Sequence, residues 1–113
     1  MSKRDELIEK YASEIQSKFG EKADLDLLTK VTIGLGPSIY NADSSKVSGS
    51  DDKELATVKN NFLIKKLGLS DGPQLDEAIH AVITQYGTSE KNKYRAIVYY
   101  FLVKHFKKES VYN

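Results

Sequence analysis

Three observations predict a single all-α domain of five helices. Five segments carry apolar residues at helical spacing. Residues suited to helix ends bracket most of them. All connections but one are short, which makes consecutive helices spatial neighbours. The length of 113 residues suits one domain over 1–113 rather than two.

The first helix is expected over about Lys3 to Phe19, where Leu7, Ile8, Tyr11, Ala12, Ile15 and Phe19 form the apolar stripe. Glu6 and Lys10, and Glu14 and Lys18, stand four apart in the favourable order. Gly20 follows where a left-handed cap residue is wanted. The second runs over about Leu25 to Ile33, with Asp24 as N-cap and Leu28, Val31 and Leu35 on one face. Its β-branched Val31-Thr32-Ile33 leaves a short strand as the alternative. The third covers about Asp52 to Leu67, announced by Asp51 and Glu54. Leu55, Val58 and Phe62 share a face, and Ile64 lies roughly opposite Leu55, so two neighbours are expected.

Pro73, a good first helical residue, opens the fourth helix; Leu75, Ala78, Ile79, Val82, Ile83 and Tyr86 form its stripe and Gly87 closes it. The fifth is expected from near Ser89 to about Lys107. Tyr94, Ile97, Val98, Phe101, Leu102 and His105 make one face, and Tyr99, Tyr100, Val103 and Phe106 make the other apolar too. Such a helix belongs in the centre of the domain or against a second subunit. A buried strand over Ala96 to Val103 is the alternative, and the length of the periodic pattern favours helix.

The long connection is Gly36 to Ser50. Loops of this length inside a compact domain are usually functional or disordered. Ile39, Tyr40 and Val47 favour an ordered loop pinned to the core between helices two and three.

Several function classes are excluded by composition. Without cysteine there is no disulfide framework, thiol redox centre or cysteine nucleophile. The longest apolar run, Ala96 to Val103, is far below the roughly 20 residues of a membrane span, and no apolar leader follows the basic start. A cytoplasmic protein without membrane association is expected.

The segment Leu27-Leu28-Thr29-Lys30-Val31-Thr32-Ile33-Gly34-Leu35-Gly36-Pro37-Ser38-Ile39-Tyr40, with Asn41-Ala42-Asp43 after it, belongs to a recognisable pattern. So do Lys59 to Leu69 and Asn92-Lys93-Tyr94-Arg95-Ala96. Together these resemble a small bacterial family known as a domain of unknown function, over nearly the whole chain. The resemblance implies an all-helical bacterial protein of about this size, and it attaches no catalytic or ligand residues.

Reactive constellations are missing. His80 and His105 are the only histidines, they are not paired at metal-ligand spacing, and His105 reads as a core or boundary residue. Asp24, Asp26, Asp51 and Asp52 sit at helix starts, where carboxylates complement the helix dipole. Ser38 lacks the context of a nucleophile elbow. Gly34-Leu35-Gly36 lacks the third glycine of a dinucleotide fingerprint and the Lys-Ser/Thr of a phosphate loop. No metal, no cofactor and no catalytic residue is indicated, and the sequence leans away from an enzyme.

The net charge of +1 conceals an asymmetry. Lys91, Lys93, Arg95, Lys104, Lys107 and Lys108 face only Glu90 and Glu109 between Ser89 and Asn113, a surplus of four, and the rest of the chain is at −3. These six residues, with Tyr94, Tyr99 and Tyr100 among them, are candidates for weak nucleic-acid or other anion binding. A helix–turn–helix reading is disfavoured, because the second helix carries Asp76 and Glu77 and no Lys or Arg from Pro73 to Tyr86. Three readings remain. The first is a non-catalytic interaction or accessory domain with a protein partner or a second copy. The second is the basic surface. The third is a small-ligand or enzyme site under the loop, with Tyr40, Asn41, Asp43 and Ser45 as its first residues.

Overall fold

The fifth helix of the chain is the axis of the molecule, because its sequence leaves it no polar face. In the computed structural model, which describes residues 2–90 and 92–112, every residue from Ala96 to Val103 is buried. The elements in chain order are α1 (Lys3–Phe19), α2 (Leu25–Leu35), β1 (Lys46–Val47), α3 (Asp52–Thr57), α4 (Pro73–Tyr86), β2 (Lys93–Tyr94) and α5 (Arg95–Phe106). The helices α1, α2 and α4 all pack against α5. The radius of gyration is 13.0 Å, the value expected of one compact domain of this length. The fold is therefore a mostly-α single domain with five helices among the described residues.

Local chemistry accounts for the helix ends. Ser2 Oγ accepts the Asp5 N–H at 3.2 Å, and Asp24 Oδ1 accepts the Leu27 N–H at 3.3 Å. Gly20 closes α1 in the left-handed conformation at φ 70°. The pairs expected along α1 give way to tertiary partners. Lys18 pairs with Glu90 at 3.0 Å, Glu14 accepts the Tyr86 hydroxyl, and the Lys10 ammonium lies 4.9 Å from the Tyr94 ring centre. Solvent-exposed i,i+4 pairs contribute only about 0.2–0.5 kcal/mol, so a better-buried partner wins.

Two boundaries differ from the sequence expectation. α3 keeps α-helical geometry only to Thr57 and then continues, without a break, as a π-helical segment over Val58–Lys66. Val58, Phe62, Leu63 and Leu67 are all buried. Their spacing of four to five residues overshoots an α-helical turn, and the wider i→i+5 turn brings them onto one face. The second difference is the start of α5, expected near Ser89 and found at Arg95. Ahead of it, β2 pairs antiparallel with β1, Lys46 opposite Tyr94 and Val47 opposite Lys93. The backbone donors that would have begun a longer helix are taken elsewhere. The Tyr94 N–H donates to Tyr86 Oη at 3.2 Å, and the Arg95 N–H donates to the Ser45 carbonyl at 2.8 Å.

The loop between α2 and α3 is ordered. It contains a 3-10 turn at Gly36–Tyr40 and the strand β1, and it is pinned by buried Ile39 and Val47. Tyr40, expected to help pin it, is 46% exposed, and the Lys3 ammonium lies 5.8 Å from its ring centre. His105, expected on the apolar stripe, is also exposed.

Aromatic packing fills the centre, with Phe19 stacked on Phe101 at 3.9 Å and Phe62 on Tyr99 at 3.8 Å. Burial raises the pKa of several tyrosines. Tyr11 and Tyr112 are pushed up to about 12, and Tyr99 is raised as well. For Tyr86 the bond to Glu14 adds to burial in the same direction. The fold holds these phenols neutral, whereas the unfolded chain ionises them near pH 10. Their contribution is complete below pH 10 and is lost as the pH rises through 12. Helicity, followed by circular dichroism, is expected to collapse over that window together with the phenolate absorbance. Full ionisation near pH 10 with helicity intact would contradict this account.

Candidate functional site

Arg95 decides where the loop lies. Its side chain is largely buried at the N-terminus of α5, and its Nε donates to the Ser44 carbonyl at 2.9 Å. Nη2 donates to the Lys46 carbonyl at 3.1 Å and to the Glu54 carboxylate, and Nη1 donates to Tyr99 Oη at 3.1 Å. A guanidinium offers five N–H donors in a fixed fork. Here the fork grips the loop on both sides of Ser45 and ties it to α3. Ser45 itself is buried, and its Oγ donates to the Ala42 carbonyl at 3.4 Å.

Holding the loop this way opens a cleft of about 820 Å³ between residues 42–50 and the turn 88–93 that leads into β2. One wall is the loop, with Asp43, Lys46, Ser48 and Ser50; the other carries Thr88, Ser89, Glu90 and Lys93; Ile83 and Val47 form its apolar part. Gly49 allows the two walls to meet the core closely. A Cβ there would stand 2.9 Å from Ile83 Cγ2 and 3.7 Å from Lys93 Cδ.

The charges in the cleft are unequal in their commitments. Glu54 is held by Arg95. Glu90 accepts from Lys18 at 3.0 Å and from the Asn92 N–H at 3.1 Å, and the Lys18 ammonium, first among the causes, holds its carboxyl below the usual range. Lys93 is 3% exposed, and its ammonium donates to the Glu90 carbonyl. Among the described residues no carboxylate lies within ion-pair distance of it. The hydroxyls of Ser48, Ser50, Thr88 and Ser89 have no hydrogen-bond partner among the described residues.

The residues singled out in the sequence divide sharply. Of the loop set, Asp43 lines the cleft; Ser45 is sealed behind it; Asn41 Oδ1 accepts the Asp43 and Ser44 N–H groups at 2.8 and 3.2 Å and shapes the turn; Tyr40 faces solvent away from it. Of the basic set, Lys93 lines the same cleft and Arg95 builds it. Lys104 pairs with Glu21 at 3.2 Å beside the Tyr100 ring, Lys107 and Lys108 lie beyond the end of α5, and Lys91 lies outside the described residues. The five described residues of the set do not form one surface. Ser48, Ser50, Thr88 and Ser89 were not legible as site residues. Two-residue strands carry no period-two signal, so nothing in the sequence brings 42–50 against 88–93.

No described helix is long and apolar enough to cross a membrane. No curated protein matches the chain. A family model does match it over residues 10–110, a span that includes α2, the π-helical segment, both strands and the cleft. The chain thus belongs to the family described as Protein of unknown function (DUF2853).

Proposed function

We propose that this protein is a small-ligand-binding domain, with its site in the cleft between the 42–50 loop and the 88–93 turn. The observation that carries the reading is the clasp at Arg95. A long polar loop is held in place by a largely buried guanidinium, beside a cleft whose hydroxyls and buried lysine have, among the described residues, unused hydrogen-bonding capacity. A volume of about 820 Å³ falls in the range of sites for small molecules, roughly 300–1,000 Å³. Among the described residues no cleft hydroxyl is hydrogen-bonded to a base that would activate it, which supports binding rather than turnover. The apolar surplus of α5, for which the sequence left a central position or a second subunit open, is buried within this chain and supplies no reason for a second copy.

The test is a thermal-shift screen of the full chain against small polar metabolites: organic acids, phosphate esters, sugars and nucleosides. A ligand at 100 times its Kd stabilises the native state by about 2.7 kcal/mol. Ser50→Trp occludes the cleft without touching an Arg95 contact, and it is expected to abolish the shift. A screen in which nothing stabilises the wild type, or in which the shift survives Ser50→Trp, refutes the reading.

A further inference from the structure

We infer that the cleft binds an oxyanion group, a phosphate or a carboxylate, with the Lys93 ammonium as its principal partner; this rests on the cleft being the binding site. A lysine only 3% exposed is uncommon, since burying a charge without a counter-charge is costly. In most proteins such a group is paired with a carboxylate. Here its protein acceptor is a backbone carbonyl, that of Glu90. An ammonium has three N–H donors. Among the described residues only one is used, and the lysine lines the cleft.

The acidic residues of the cleft offset this charge only in part: the Glu90 carboxylate feels the Lys93 charge but makes its ion pair with Lys18. Glu54 is occupied by Arg95 and Glu90 by Lys18, each carboxylate with its own cation. Asp43 is exposed at the loop, where water screens it, and Lys46 on the same loop offsets it. Lys93 is the charge that solvent screens least. In the same cleft, Ser48, Ser50, Thr88 and Ser89 supply hydroxyls that can rotate to donate to an oxygen. A buried cation in a cleft that also offers neutral donors, and whose carboxylates Glu54 and Glu90 already hold cations, is complementary to an oxyanion. It is not complementary to a metal ion or to a cationic ligand.

Lys93 is close in sequence to the other basic residues but separate from them in function. The tethered Lys104 and the distal Lys107 and Lys108 lie away from the cleft lining. This separation makes the inference testable on the intact, isotopically labelled chain, titrated in parallel with inorganic phosphate, acetate and D-ribose while amide shifts are followed by NMR. Saturable shifts with phosphate or acetate at residues 47–50 and 88–93 are expected, and the stronger of the two identifies the head group. Lys93→Gln is expected to weaken that binding about tenfold or more, as loss of a charge-assisted hydrogen bond does. Lys107→Gln with Lys108→Gln is expected to leave it unchanged. Should Lys93→Gln fail to fold, the location of the wild-type shifts decides alone. Anion-induced shifts confined to residues 104–112, or equal binding in Lys93→Gln, overturn the inference. Ribose binding in the cleft without phosphate or acetate binding overturns it too, while leaving the cleft itself as the ligand site.

Discussion

Arg95→Ala is expected to lower stability by about 2–4 kcal/mol, below the full 3–5 for breaking a buried pair because Glu54 retains some access to water. The substitution strands several groups at once. The carbonyls of Ser44 and Lys46 lose their donors, Tyr99 Oη loses its own, and the Glu54 carboxylate is left without a cation. Arg95→Lys does not rescue it, because a single ammonium cannot reach acceptors arranged around a planar fork. The measurable consequence is a drop of roughly 10–20 °C in Tm. Amide exchange should also accelerate at Val47, in the paired strand, and at position 95, whose N–H donates to the Ser45 carbonyl. A loss below about 0.5 kcal/mol, typical of surface substitutions, would mean that the loop is held by Ile39 and Val47 alone.

Leu102→Ala should cost a comparable amount, about 2–5 kcal/mol, for a different reason. Leu102 is fully buried in α5, the helix against which α1, α2 and α4 all pack, so the cavity has little room to collapse. Ile33→Ala is the control. Ile33 lies on α2 with half its surface in water, and its loss should stay within about 0.5 kcal/mol. Guanidinium denaturation of the three proteins measures the contrast. Equal effects of Leu102→Ala and Ile33→Ala would place the core elsewhere. The two large predictions also separate in character. Arg95→Ala should disturb ligand binding in the cleft together with stability, whereas Leu102→Ala should lower stability and leave the cleft's chemistry intact.

Much of this architecture is readable from residue order. The stripe of α4, from Leu75 to Tyr86, is buried at each of its six positions. The caps Asp24 and Gly20 stand where their chemistry requires. The all-apolar circumference of the fifth segment led correctly to a central helix. What failed did so where a long-range partner outcompeted a local preference. The helical reading of Ser89 to Tyr94 was locally sound, but the Ser45 carbonyl and the Tyr86 hydroxyl took the backbone donors. The expected pairing of Glu14 with Lys18 lost to Tyr86 and Glu90. The π-helical turn was foreshadowed by apolar spacing at Val58, Phe62, Leu63 and Leu67, a pattern that two-sided burial explains equally well.

The candidate site was legible only as fragments. Asp43 was singled out as part of a loop and Lys93 as part of a basic segment, and nothing local relates them. By itself the sequence determined a helical domain with a central apolar helix, a long polar loop and a basic C-terminal segment. Each is a property of neighbouring residues, set by periodicity, capping and charge. The tertiary structure alone decided that Arg95 is a clasp, that Lys93 is a buried cation and that both belong with the loop. The physical reason is that a charged side chain reads the same in any local sequence. Its role follows from burial and from the acceptors within reach, and for Arg95 the loop carbonyls it grips come from a segment about fifty residues away in the chain.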